Sequence, residues 1–304
     1  MRDFLIFFTV IACVLFTIAI VAPKKELPSV NFTFETKNQT IPVENKKIVL
    51  IATGDVIPAR MVNVKTIERN NFNWPCEKTA DFLKTGDITI INLEAALLNN
   101  CPVLNSGFKF CGDKRHVNGM VFAGVDIAGL VNNHSGNFGS DGIIQTKQIL
   151  KDNDIDSFAE NEIVYKTVKG TKFSFLGFDS VSNHIDDFSI VKTARENSDV
   201  VVVSAHWGAE YRDKPDARQI ELAHKIIDRG ADIIIGNHPH WIQPEEIYKD
   251  KLIVYAHGNF IFDQEWSEKT KLGEIGKYTF IDKKLTNVEF IPIKIIDFGQ
   301  PNFR

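Results

Sequence analysis

The sequence predicts an α/β fold, and three observations predict it. Short runs of β-branched and aliphatic residues alternate with segments of helical spacing, as in strands and helices packed in layers. Several of those runs stop directly before an acid, an amide or a histidine. Toward the C-terminus, Tyr278 to Ile281 and Val288 to Ile296 alternate without a helix between them, which predicts antiparallel strands and a second layer of sheet.

The first element in order is Phe4 to Ala22, nearly all apolar and broken only by Thr9, Cys13 and Thr17. At about 1.5 Å per residue it reaches close to the ~30 Å of a bilayer core. It ends Ile20-Val21-Ala22-Pro23 rather than at a run of small residues, which favours an uncleaved membrane helix over a signal peptide. The flanking charges, Arg2 offset by Asp3 on one side and Lys24 and Lys25 on the other, argue on their own for the opposite topology to an exported domain. Residues 26–46 are polar and aperiodic and read as a linker, with glycosylation-type triplets at Asn31 and Asn38. The expected organisation is therefore anchor 1–25, linker 26–46 and one folded domain 47–304.

Within that domain, Ile48 to Ala52 is an apolar run ending at Gly54-Asp55, and Asp87 to Ile91 leads to Asn92-Leu93-Glu94. Val121 to Val131, a helix then a strand, leads to Asn132-Asn133-His134. Thr79 to Lys84 and Ile143 to Asn153 have helical character, and Phe173 to Phe178 reads as a strand. Val200 to Val203 is the plainest buried strand and leads to His206-Trp207-Gly208, with Glu210 and Tyr211 beyond. Ile220, Ala223, Ile226 and Ile227 space a helix over Asp216 to Arg229. Asp232 to Gly236 is a strand that delivers His238-Pro239-His240, read as an extended turn that points both imidazoles the same way. Leu252 to Tyr255 then leads into His257-Gly258-Asn259.

Composition narrows the function. A net charge of -4, with no Lys/Arg stripe between aromatics, argues against nucleic acid as a partner. Of four cysteines, Cys13 lies in the apolar stretch, so at most one pair forms among Cys76, Cys101 and Cys111. Cys101 with Cys111 would close a short loop, which suits an oxidising compartment.

Asp55, Glu94, Asn133, His206, His238 and His240 all follow predicted strands, and strand ends of an α/β sheet converge on one crevice. Oxygen and imidazole donors without thiolates suit Zn, Mn, Fe or Mg. More than four donors with a bridging carboxylate suit two ions about 3.5–4 Å apart, a pair that activates water and steadies a phosphate-like transition state. Taken singly, Asp55 and Glu94 could instead cap helices, and His206 could be a packed histidine. His116, His184 and His224 lie outside the constellation. Trp74, Trp241 and Trp266 could form a carbohydrate platform, although such aromatics more often pack.

Gly54-Asp55-Val56-Ile57 with Arg60, Asn92-Leu93-Glu94, Asn132-Asn133-His134, His206-Trp207-Gly208 with Glu210-Tyr211, Gly236 with His238-Pro239-His240, and Gly258-Asn259-Phe260 with Phe262-Asp263-Gln264 come in that order. Together they resemble the CapA-like capsule and poly-gamma-glutamate biosynthesis proteins of the calcineurin-like metallophosphatase superfamily, over roughly Ile48 to Pro301. The resemblance implies a metallophosphatase-like sandwich of two mixed β-sheets flanked by helices. It implies Asp55 and His240 on a first metal, Asn133, His206 and His238 on a second, and Glu94 bridging in place of an aspartate. His134 would be the proton donor, with Arg60 and Glu210 toward the substrate. It also implies an extracytoplasmic domain at the cell membrane whose partners are an anionic surface polymer or its precursor and the membrane proteins of capsule synthesis and export.

Three positions depart from the pattern. Ile57 stands where metallophosphatases usually supply a histidine, Asn137 where relatives commonly carry Asp, and His257 where many carry a small residue. His257 is therefore a candidate to replace the missing ligand. The expected function is that of a membrane-anchored metallophosphatase-like protein of capsule or poly-gamma-glutamate biosynthesis or export, which as an enzyme would be a metal-dependent phosphoester hydrolase. The rival readings on the same fold are a non-catalytic assembly or polymer-binding factor and a hydrolase that trims amide linkages of the polymer.

Overall fold

The computed structural model describes residues 46–304 together with the two-residue strand β1 (Phe32–Thr33). The expected anchor and most of the linker lie outside the described residues. Among the described residues no helix is long and apolar enough to cross a membrane.

The chain continues through β2 (Ile48–Val56), α1 (Met61–Arg69), α2 (Ala80–Leu83), β3 (Ile88–Leu93), β4 (Ala96–Leu98), β5 (Cys111–Asp113), α3 (His116–Phe122) and β6 (Ile127–Gly129). Next come α4 (Gly139–Lys151), β7 (Asp156–Phe158), β8 (Val164–Val168), β9 (Thr171–Asp179), α5 (Ser189–Asn197), β10 (Val200–His206), α6 (Ala217–Asp228) and β11 (Ile233–Asn237). The last six strands are β12 (Ile242–Tyr248), β13 (Lys251–His257), β14 (Asn259–Ile261), β15 (Leu272–Ile281), β16 (Lys284–Ile296) and β17 (Gln300–Phe303).

These strands form two mixed sheets. The first runs β1-β16-β15-β2-β3-β6-β7, with β14 beside β2 and β17 beside β16; the second runs β12-β13-β11-β10-β9-β8. Parallel pairing of β2, β3, β6 and β7, and of β9, β10, β11 and β13, brings their C-terminal ends to one end of the molecule. Strands β4 and β5 make a separate two-stranded ribbon.

Side chains alternate across each strand, and the alternation builds the layers. Ile48, Leu50 and Ala52 of β2 meet Val200 and Val202 of β10 and Ile233 and Ile235 of β11 between the sheets. Val49 and Ile51 face the other way, into a core completed by Val62 of α1, Leu83 of α2, Met120 of α3 and Leu150 of α4. Val201 and Val203 likewise pack on Val191 of α5 and Leu222 and Ile226 of α6. The result is a four-layer sandwich, helices outside and two sheets inside. Asp216 starts α6 with a reciprocal cap: its side chain accepts the Gln219 N–H at 2.8 Å, and the Gln219 side chain accepts the Asp216 N–H at 3.0 Å.

Candidate metal centre

The site forms where the parallel strands end. Gly54 lets β2 pass the β13–β14 junction so closely that a Cβ there would lie 2.0 Å from the Gly258 carbonyl oxygen. One residue on, the Asp55 N–H donates to that carbonyl at 3.0 Å, which fixes the carboxylate above the sheet. Neither Asp55 nor Glu94 caps a helix: α1 begins after Arg60, and Asp55 instead accepts from Asn92 Nδ2 at 2.8 Å.

His238 and His240 reach the crevice differently from the sequence expectation. The segment is not extended, because both residues take left-handed backbone, φ 95° and φ 57°. For residues with a Cβ such backbone costs on the order of 1–3 kcal/mol each, a cost that functional sites often carry. The His238 N–H points at Asp55, 3.3 Å from Oδ2, and His240 Nδ1 lies 3.1 Å from the same oxygen. The two imidazole centroids are 5.9 Å apart, facing different parts of one site.

Donor atoms of Asp55, Glu94 and His240 lie within 4.8 Å of one another, and so do those of Glu94, His206 and His238. Glu94 belongs to both groups. His206 Nε2 is 3.6 Å from Glu94 and 3.0 Å from Asn133 Oδ1, which brings Asn133 to the second group. All five acid and histidine members are buried.

The crevice is not satisfied by protein alone. Both Glu94 carboxylate oxygens, His238 Nδ1 and the Asn237 side-chain oxygen are buried without a protein hydrogen-bond partner. Buried polar atoms are almost always paired, so a cluster of unpaired acceptors marks a place for a cation. Burial, then the carboxylates of Asp55, Glu210 and Asp179, pushes Glu94 well above the usual carboxylate range. Burial and the neighbouring His240 hold His238 at about 4 against the pull of Asp55, and burial with His238, His240 and His134 pushes His206 well below the ordinary imidazole range. Neutral imidazoles around a crowded set of carboxyl oxygens are suitable ligands for divalent ions.

His134 lies at the edge of this cluster, its Nε2 3.9 Å from Glu94. Asn137 Oδ1 accepts the Phe110 N–H at 2.8 Å and sits 2.9 Å from His134 Nδ1, so Nδ1 carries the proton and Nε2 faces the crevice. Phe110 stacks on the ring at 4.0 Å. Arg60 is clamped by Asp263, with Nε 3.0 Å from Oδ1 and Nη2 also paired, and lies against the rings of both Phe110 and Phe262. Glu210 is exposed at the rim, next to Tyr211, whose hydroxyl accepts from Gln264 at 3.0 Å.

Two departures resolve structurally. Ile57 is fully buried with Ala59, Ala95, Phe110 and Phe262 and offers the site an apolar wall. His257 does not replace the absent ligand, because its Nε2 is 2.7 Å from the Tyr278 hydroxyl and its Nδ1 is 3.1 Å from Glu274, which occupies both nitrogens. Of the tryptophans, Trp241 and Trp266 lie near Tyr211 at the rim, while Trp74 lies under Arg69 and takes no part.

The sequence reading missed Asp179, which ends β9 and contributes charge to Glu94 and His238; the reading of that strand stopped at Phe178. It also gave no role to the amides that hold the ligands. Asn132 bonds to Asn92 at 3.1 Å, and Asn259 Oδ1 lies 2.9 Å from His240 Nδ1.

Residues 49–264 match the family described as bacterial capsule synthesis protein PGA_cap. A capsule biosynthesis protein CapA of Bacillus anthracis is 30% identical over 319 residues, covering 93% of this chain and 77% of its own length. A PGA biosynthesis protein CapA of Bacillus subtilis (strain 168) is 33% identical over 188 residues, 54% of this chain and about half (49%) of that protein. Among solved structures, a hypothetical protein from Thermus thermophilus superposes with TM-score 0.55 at 14% identity, over 84% of this chain and 100% of that one. NAD nucleotidase (NadN) of Haemophilus influenzae does so with TM-score 0.51 at 11% identity, over 86% of this chain and 54% of that one. These two likenesses concern the fold, a metallophosphatase-like sandwich.

Proposed function

We infer function from one premise: this chain belongs to the family of bacterial capsule synthesis proteins PGA_cap. Its role is in capsule or poly-gamma-glutamate biosynthesis, and its core is metallophosphatase-like. Within that role we propose a metal-dependent phosphoester hydrolase. The observation that carries it is Glu94, buried between two histidine groups with both oxygens unpaired by protein.

Asp55, Glu94 and His240 would hold one divalent ion, and Glu94, Asn133, His206 and His238 a second, with Mn, Zn or Fe suited to these donors. Such ions supply an activated water and neutralise charge on a transferring phosphoryl group. Asp263, Phe110 and Phe262 hold the Arg60 guanidinium at the crevice edge, where it can bind an anionic oxygen of the substrate. Asn137 and Phe110 fix His134 so that its imidazolium form passes a proton from Nε2 to the leaving oxygen. Glu210 at the rim is the second substrate contact.

The domain is proposed to stand outside the cytoplasm on an N-terminal anchor. The Cys101–Cys111 disulfide supports that placement, since such bonds persist in oxidising compartments. The proposed substrate is the anionic surface polymer or a phosphorylated precursor, handled alongside the membrane proteins of synthesis and export.

A non-catalytic assembly or polymer-binding factor is the second reading, and Ile57 favours it, because one corner of the first metal group is closed by packed hydrocarbon. Metal analysis of the purified chain, with phosphomonoester and phosphodiester model substrates and His134→Ala as control, separates the two. Two ions per chain and His134-dependent turnover support the enzyme. Bound metal without turnover on Mn, Zn or Fe supports the assembly factor.

A further inference from the structure

The crevice end of the sandwich carries apolar surface that the metal centre does not use. The loop between Cys101 and Cys111 exposes Val103 at 56%, Leu104 at 54% and Phe108 at 84%, with Lys109 exposed beside them. The disulfide closes this loop at its base, so its tip cannot retract far into the fold. It stands over the site: the Gly107 carbonyl accepts from Arg60 Nη1 at 3.4 Å, and Phe110 stacks on His134. Trp266, 61% exposed, sits edge-on to Tyr211 at the rim. Phe298, held through its N–H by Glu265 at 3.0 Å, and Val181, just past Asp179, are exposed at the same end. Half of the twelve exposed large hydrophobic residues among those described therefore lie at this end, three of them in the one loop, and exposed apolar groups concentrated in this way mark a contact surface.

The direction of the chain says what that surface meets. Strand β1 is antiparallel to β16, β16 to β15, and β15 to β2. Strand β1 thus runs away from the end where β2 delivers Asp55, and the chain enters Phe32 from the crevice end. Nine residues, 23 to 31, separate Phe32 from the apolar stretch Phe4 to Ala22. They span at most about 30 Å. Through Val288 and Tyr278, Phe32 lies level with Leu50, about 17 Å short of Asp55 along the strands, so a membrane on that side that holds the stretch lies no more than about 13 Å beyond the level of Asp55. A loop with aliphatic and aromatic tips, a neighbouring lysine and an indole at the same end of the molecule has the composition of an interfacial membrane contact.

We propose that the crevice end docks on a phospholipid bilayer, with Val103, Leu104 and Phe108 entering the headgroup region, so that the metal centre meets phosphate groups at the membrane surface. The docking rests on the proposed anchor and not on catalysis. The test uses the full chain reconstituted into vesicles of phosphatidylethanolamine and phosphatidylglycerol, with either ordinary or chain-brominated lipids. A tryptophan is placed in the loop by Phe108→Trp, or by Leu104→Trp as a second variant, and by Tyr165→Trp on the distant edge strand; parent emission is subtracted. Brominated lipid is expected to remove about half or more of the added loop emission and to leave Tyr165→Trp unchanged. Vesicle-bound protein with both loop variants unquenched overturns the docking while leaving the anchor in place. Failure to float with vesicles overturns both.

Discussion

Glu94→Gln should change stability in opposite directions with and without metal. In the metal-free protein both Glu94 oxygens are buried and unpaired, with Asp55 in the same site and Asp179 and Glu210 adding negative charge. Each unsatisfied buried acceptor costs about 1–3 kcal/mol, and the carboxyl must be kept neutral or repelled by its neighbours. Glutamine keeps the shape, removes the charge and brings an N–H that can donate to Asp55 or Asn133. The metal-free variant should therefore be more stable than the parent by about 2 kcal/mol, a few degrees in melting temperature for a domain of this size. Saturating metal reverses the order. A ligand at a thousandfold excess over its Kd adds about 4.1 kcal/mol of stability, and a variant without the shared carboxylate forfeits most of it, which outweighs its advantage of about 2 kcal/mol in chelator. Urea or thermal unfolding of both proteins, in chelator and in excess Mn or Zn, reads the crossing. A variant less stable than the parent in chelator, or one that gains as much from metal as the parent, refutes the reasoning.

Other positions give independent tests. His116 is buried against Asn63 with its pKa pushed down to about 3, so its contribution is intact above the unfolded value near 6.5 and is lost as pH falls toward 3. By pH 5 it should account for about 2 kcal/mol of lost stability, and His116→Gln should flatten the urea midpoint against pH by that amount. Gly54→Ala drives a methyl into the Gly258 carbonyl, 2.0 Å away, and should cost several kcal/mol together with metal binding, measured by unfolding and metal content. Asn137→Ala frees His134 from its 2.9 Å contact and should lower kcat by about 10- to 100-fold with metal content unchanged.

The parts of this fold that were legible share one physical cause. A strand covered on both faces must be apolar throughout, so Ile48 to Ala52, Val200 to Val203 and Asp232 to Gly236 stood out, and the polar residue that ends each one stood out equally. Parallel pairing then carried Asp55, Glu94, Asn133 and His206 to one end without any need to know the loops. Strands on the margins left no such trace. Strand β12 reads Ile-Gln-Pro-Glu-Glu-Ile-Tyr, because an edge strand exposes one side and tolerates proline and charge. The helices α1 and α5 were also missed: the buried side of α1 is Val62 with the polar Asn63 and Thr66, and that of α5 is only Val191 and Ala194, so neither shows a plain apolar stripe. The left-handed backbone of His238 and His240 was invisible because the His-Pro-His pattern fits an extended segment equally well.

Ile57 does more in the structure than omit a ligand. It packs with Phe110 and Phe262, and those two rings support Arg60, while Phe110 also lies on His134. An imidazole at position 57 would need a polar partner inside that packing, and none of the cluster's side chains supplies one. The apolar wall therefore supports Arg60 and His134, the two residues proposed to face the substrate, at the corner where the usual pattern supplies a metal ligand. An ion on that side would have Asp55, Glu94 and His240 as its protein donors, and would keep more positions open to water or a substrate oxygen than the usual pattern allows. Whichever function the site performs, its asymmetry comes from this exchange of a ligand for hydrocarbon.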